Sequence, residues 1–370
     1  MIYFDNAATG GFKPDEVINA TLSAIKFCAN PGRSGHKLSL ACLERVYACR
    51  KILCEFFGGY DCDRVIFTKN CSEALNTVIL GTLQEGDVVV STVAEHNSVL
   101  RPLHHLEGKG VHAKYTPLDS GGNIDVSALE ALVTPNTRAV IITLASNVTG
   151  TSPDISAVRR AIPEDCLLIC DGAQACGHIK IDMKASGIDA LAVAGHKGML
   201  GIQGSGALIF SERINPRPIT YGGTGSESNN PDMPDFYPDR LESGTLSYPA
   251  VISLGEGALY LKNKMAEGAQ KVVKYTQTLH EGLSRIKGVT LYSKPNPFGI
   301  VCFSLENLQS ELAAFKLSEE YSICVRGGLH CAPLMHKALK SEGLIRASVS
   351  PFNSKNECEI FLHAVSEIAR

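Results

Sequence analysis

Short apolar, β-branched runs recur along the chain: Val65-Ile66-Phe67, Val88-Val89-Val90, Ala139-Val140-Ile141-Ile142, Leu167-Leu168-Ile169, Leu191-Ala192-Val193 and Ala207-Leu208-Ile209-Phe210. Between them lie stretches with helical spacing, such as 72–82 and 126–132. The second is introduced by Asn123 and Asp125 and stopped by Thr134-Pro135-Asn136, which are start and stop signals for a helix. Apolar strands alternating with amphipathic helices predict an α/β fold, with a mostly parallel sheet covered by helices on both faces. From 214 to 248 the pattern gives way to Gly, Pro, Asn and Ser with little periodicity, which predicts a long functional loop or a subunit-contact segment. After Pro249 a long helical pattern runs towards Ile286. Strand-like runs follow at Val289-Thr290-Leu291 and Ile300-Val301-Cys302-Phe303, then helices around Leu312 and Phe361. The expected organisation is a large domain of residues 13–249 and a smaller α/β domain of 250–370 completed by residues 1–12.

The chain has 370 residues, enough for two such domains. Its 35 Lys and Arg nearly balance 38 Asp and Glu, with no basic run to track a phosphate backbone, so nucleic acid is not an expected partner. No apolar run approaches the ~20 residues of a membrane helix, and Met1-Ile2-Tyr3-Phe4-Asp5 does not resemble a signal peptide. A soluble, cytoplasmic protein is expected. Thirteen scattered cysteines without a Cys-x-x-Cys pair point to reduced thiols and to no metal site.

The chemistry concentrates where strands end. One run leads into Asp171-Gly172-Ala173-Gln174 and the next into Ala194-Gly195-His196-Lys197. In an open parallel sheet the carboxyl ends of the strands line the ligand crevice, so the two motifs converge there. A lysine that can form a Schiff base and a carboxylate that can hold a pyridine nitrogen protonated are what pyridoxal 5'-phosphate (PLP) requires, which predicts Lys197 and Asp171 in those roles. Gln174 is a candidate partner for the ring's phenolic oxygen. Thr68-Lys69-Asn70-Cys71-Ser72-Glu73 supplies a strand end and a helix start, which suits a phosphate as well as a helix cap. His96 follows the run ending near Ser91 and is a candidate to stack on the cofactor, while Asn147 is a candidate for the ring oxygen or the substrate. Arg326-Gly327-Gly328-Leu329-His330-Cys331 places a cysteine in a glycine-flanked loop beside a histidine and an arginine, surroundings that favour an accessible nucleophilic thiol. Arg346 could hold an amino-acid carboxylate in bidentate fashion.

Together these motifs resemble the class V aminotransferase-fold PLP enzymes, specifically the cysteine desulfurases and selenocysteine lyases. Further motifs that carry the resemblance are Tyr3-Phe4-Asp5-Asn6-Ala7-Ala8-Thr9 and Arg240-Leu241-Glu242-Ser243-Gly244-Thr245, so it spans essentially the whole chain. The short loop around Cys331 is similar to that of desulfurases that pass sulfur to an acceptor protein. The resemblance implies the PLP-dependent aminotransferase-like fold (fold type I) and a homodimer, with Thr224 reaching the partner's phosphate. It also implies conversion of L-cysteine to L-alanine with sulfur held as a persulfide on Cys331. Ser72, Cys71 and His196 would be phosphate contacts, although Ala194 and Cys71-Ser72 replace hydroxyl residues common in the family.

Related alternatives keep the cofactor and change the substrate to selenocysteine, cysteine sulfinate or another amino acid. A scaffold that has lost turnover is opposed by the intact Lys197, Asp171 and Cys331. A nicotinamide site is opposed by Gly201, Gly204 and Gly206, which precede a strand and not a helix.

Overall fold

The computed structural model describes residues 1–370, and every apolar run named above becomes a strand. The strands are β1 Ile2–Tyr3, β2 Val65–Thr68, β3 Val88–Thr92, β4 His112–Thr116, β5 Thr137–Thr143, β6 Leu167–Asp171 and β7 Ala190–Ala194. They continue with β8 Gly206–Phe210, β9 Val289–Leu291, β10 Ile300–Leu305, β11 Ile323–Cys324, β12 Arg326–Gly328 and β13 Leu344–Ser348. Seven form one sheet in the order β2-β8-β7-β6-β5-β3-β4. Only β8 runs against its neighbours.

The runs are continuously apolar because both faces of this sheet are covered. Successive side chains of a strand point to opposite faces. Val140, Ile142, Leu168, Cys170, Leu191 and Val193 accordingly enter one core, while Ala139, Ile141, Leu167, Ile169, Ala190 and Ala192 enter another. At the edge, β4 has one neighbour and carries the half-buried Lys114, so it lacks that signature. A second sheet, β12-β13-β10-β9, is antiparallel throughout. Its core takes in Ile2 and Phe4, and β1 pairs with β11 in parallel, which attaches the N-terminus to the C-terminal part of the chain.

Helix Tyr248–Leu283 serves both cores. Val251, Leu254 and Ala258 pack under the large sheet, whereas Val272, Leu279 and Leu283 pack under the small one. The segment before it has neither helix nor strand from Ser211 to Ser247. It is anchored by Glu242, whose Oε1 accepts the Phe67 N–H at 2.6 Å and whose carboxylate pairs with Arg50, both side chains being buried. A buried ion pair is tolerable only when its remaining valences are satisfied, and Arg50 also donates to the Val65 carbonyl. All thirteen cysteines are free, and no helix is long and apolar enough to cross a membrane.

Candidate active site

The carboxyl ends of β2, β3, β5, β6 and β7 face one side of the large sheet, and a cavity lies over them. Its walls include Cys71, Ser72, His96, Asn147, Asp171, Gln174 and Lys197, together with Ser98, Thr143, Ala145, Ala173 and Ala194. Asp171 closes β6 and is buried. Its Oδ1 accepts the Ala173 N–H at 2.8 Å and the Cys71 thiol at 3.4 Å, the only hydrogen bonds its carboxylate makes in the chain. The thiol stays protonated and can donate, because burial, reinforced by the Asp171 charge, holds the Cys71 pKa well above its usual value. Lys197 sits in the turn after β7, where burial lowers its pKa and the charge of Asp171 opposes that shift. An amine with a weakened hold on its proton is suited to nucleophilic and proton-transfer work.

Helix Cys71–Thr82 begins at the cavity. Asn70 caps it by accepting the Glu73 N–H at 2.9 Å, so the first-turn amides of Cys71 and Ser72 remain for an anion. Ser72 Oγ lies 2.6 Å from Ser98 Oγ, which lies 2.9 Å from His96 Nδ1. His96 caps helix Asn97–Glu107, and its Nδ1 accepts the Ser98 N–H at 3.0 Å. That bond leaves the proton of the neutral ring on Nε2. Burial lowers the His96 pKa to about 4, so the ring is neutral at pH 7. Gln174 donates from Nε2 to the Ala7 carbonyl at 3.0 Å, which brings the N-terminal segment against the cavity.

Cys331 lies outside this cavity, on an adjoining cleft that shares Ser72, His96 and Ser98 with it. The thiol is exposed, and Arg326 Nη2 stands 3.8 Å from Sγ. His330 and Cys331 are both left-handed, with φ of 49° and 59°. Three bonds hold them there: Asn147 Nδ2 donates to the His330 carbonyl at 2.7 Å, the Asn97 N–H donates to the Cys331 carbonyl at 2.7 Å, and His330 Nε2 meets the Leu344 carbonyl at 3.1 Å. A carbonyl only accepts, so His330 carries its proton on Nε2, and its buried Nδ1 is left without a partner.

Arg346, on β13, is buried. Its Nη1 donates to the Asn147 carbonyl at 2.9 Å and its Nη2 to Asp5 Oδ1 at 3.1 Å. Arg346 is not among the residues that line the cavity, and two further expected residues also stand apart from it. The His196 ring turns to Thr9 Oγ1 at 2.8 Å, and Thr224 lines a separate groove with Arg33 and Asp239. Ser98 and Thr143 line the cavity and Asp5 pairs with Arg346, placements that the sequence did not single out. Ser98 lies two residues from His96 and could have been found by proximity. Asp5 belongs to a motif that carried the family resemblance, but nothing local links it to an arginine 341 residues away.

Residues 2–361 match the family model for aminotransferase class V. A probable cysteine desulfurase of Methanothermobacter thermautotrophicus is 34% identical, over 100% of this chain and 94% of that protein. A cysteine desulfurase of Yersinia pestis is 28% identical over the same shares. Among solved structures, a cysteine desulfurase from Thermococcus onnurineus NA1 superposes with a TM-score of 0.91 at 30% identity, covering 100% of this chain and 94% of that one. One from Escherichia coli gives 0.87 at 27%, covering 99% and 94%. With a family model spanning nearly its whole length and the strand-end cavity that such a match leads one to look for, this chain belongs to the class V aminotransferase family.

Proposed function

We propose that the chain is a PLP-dependent cysteine desulfurase that converts L-cysteine to L-alanine and receives the sulfur on Cys331. The observation that carries this reading is the shared wall: a part-buried lysine and a buried carboxylate in one cavity, and an exposed thiol on a cleft that shares His96, Ser72 and Ser98 with it.

The donor set suits the cofactor. Asp171 is a buried carboxylate with no basic side chain hydrogen-bonded to it, a gap that a protonated pyridine nitrogen would fill. Lys197 offers an amine on the cavity wall, and the start of helix Cys71–Thr82 offers amides and the Ser72 hydroxyl to a phosphate. His96, Asn147, Gln174 and Cys71 line the remainder of the cavity, whereas His196, bonded to Thr9, lies outside it. When bound, PLP supplies an electron sink for the substrate α-carbon. Asp171 would keep that sink protonated.

The chain's own groups do the rest. Arg346 holds the substrate carboxylate, with Asn147 beside it, and Lys197 takes the α-proton. Cys331, as thiolate, attacks the substrate sulfur. The S–S bond forms as the Cβ–S bond breaks and leaves its electron pair on Cβ, which takes up a proton, and return of a proton to Cα completes alanine. Neutral His96, with its proton on Nε2, can serve as a hydrogen-bond donor from that nitrogen.

The same reading divides the chain into 13–249 and 1–12 with 250–370, and treats it as a cytoplasmic homodimer in which Thr224 serves the partner's site. Support for a dimer comes from Ile18, Leu22, Ile25, Leu40, Leu43 and Tyr47, large apolar side chains exposed on helices Asp15–Lys26 and Lys37–Phe56. The free cysteines suit a reducing compartment. The exposed Cys331 would pass its sulfur to an acceptor protein. Mass analysis after a pulse of L-cysteine should find one added sulfur on the peptide containing Cys331; alanine formed without that mass would refute the nucleophile assignment.

A further inference from the structure

Arg346 has a counter-ion for which the proposed reaction has no use. The guanidinium is 1% exposed, and its Nη2 donates to Asp5 Oδ1 at 3.1 Å while Nε, also buried, has no partner. The Nε–H and one N–H of Nη2 run parallel, and that edge can grip both oxygens of a carboxylate. Asp5 accepts through one oxygen at Nη2 and leaves the Nε–H without an acceptor.

The placement of Asp5 is built into the frame. The Ser348 N–H donates to the Phe4 carbonyl at 2.6 Å, the Asn6 N–H to the Ser348 carbonyl at 3.3 Å, and the Ala7 N–H to Ser348 Oγ at 2.9 Å. Asp5 itself bridges to Ser348, two residues beyond Arg346 on the same strand. Its backbone is fixed, but its side chain is 24% exposed and has water to turn into.

We propose that Asp5 is a resident carboxylate that neutralises Arg346 while the site is empty and yields the Nε–Nη2 edge to the α-carboxylate of an incoming amino acid. The proposal rests on the reading of Arg346 as the carboxylate-binding residue. Asp5 then acts as a specificity determinant. A buried guanidinium cannot be left without a counter-charge, so a ligand displaces Asp5 only by bringing a charge of its own, and a two-oxygen grip outcompetes the one-oxygen grip it replaces. Free amino acids meet that requirement, and amidated or peptide-linked ones do not.

Removing the Asp5 charge leaves Arg346 unpaired in the empty protein and removes the competitor, so carboxylate ligands should bind more tightly. The experiment uses PLP-loaded wild type, Asp5→Asn and Asp5→Ala. It measures the KM for L-cysteine and, by thermal shift, the affinities for L-alanine and L-alaninamide. Both variants should bind L-alanine roughly threefold or more tightly than wild type. The KM should fall in step, and the affinity for L-alaninamide should stay as it was. Without ligand both variants should melt below wild type, and L-alanine should narrow the gap. Unchanged or weaker L-alanine binding in both variants would overturn the proposal alone, since Asp5 would then be aligning Arg346 and not competing for it. Arg346→Ala with undiminished L-alanine binding would instead remove the carboxylate role of Arg346, and the proposal with it.

Discussion

The floor of the cavity and the loop at its outer side hold their functional groups by different means. Asp171 is a strand residue paired to Thr143 on one side and Ala192 on the other, in a region buried on both faces. Its position follows from the register of the sheet, which no single side chain controls. Cys331 has no such frame. It and His330 occupy left-handed backbone that costs about 1 kcal/mol or more per residue, and a few named hydrogen bonds hold them there. Substitutions on the floor should therefore remove a chemical group and leave the geometry intact. Substitutions behind the loop should alter geometry and leave the cofactor groups intact.

The largest effect expected is on the floor. Lys197→Ala should lower turnover about 10⁴-fold and abolish the visible absorbance of cofactor bound through the lysine, with little change in melting temperature. Persistence of that absorbance would break the assignment. Arg346→Ala should raise the KM for L-cysteine by about 10- to 100-fold with cofactor retained, since a charged hydrogen-bonding partner of the substrate is lost; an unchanged KM would remove it from substrate binding.

At the rim, His330→Ala removes the bond to the Leu344 carbonyl. It should slow sulfur transfer to Cys331 roughly tenfold and change the alkylation rate of that thiol, while the cofactor spectrum stays as in wild type. A changed spectrum with unchanged alkylation would mean that loop and floor are not independent.

The effect that should touch turnover least is a pH dependence of stability beneath the floor. Glu95 is buried with Oε2 unpartnered, and burial raises its pKa from 4.5 to about 8 against lowering hydrogen bonds from Thr92 and Thr143. Between those values the unfolded chain has released this proton and the folded chain keeps it. The stability tied to Glu95 is therefore full below pH 4.5 and is lost as pH rises through about 8. Glu95→Gln lacks that loss, so its melting temperature should gain on wild type as pH increases across this window. A constant difference would show that Glu95 is ionised in the fold.

The same contrast governs what could be read from the sequence. Strands buried on both faces announce themselves as apolar runs, and the groups at their carboxyl ends, Asp171, Lys197 and His96, could be placed with them. The edge strand β4 and strand β13, whose apolar run is interrupted by Arg346, gave no such signal. Helices Asp15–Lys26 and Lys37–Phe56 carry apolar residues on exposed as well as buried faces, which blurs their periodicity. Within the site, Asn147 was legible as a candidate, but its actual bonds join the His330 carbonyl to Arg346. Those contacts span 183 and 199 residues, so only the folded chain reveals them.

The most direct test of the central claim is alanine formation from L-cysteine by PLP-loaded protein, with and without a thiol reductant, in wild type and Cys331→Ala. The account predicts that wild type with reductant releases alanine and sulfide in equal amounts, and that the variant keeps its bound cofactor but loses both products. Full alanine formation by Cys331→Ala would contradict it.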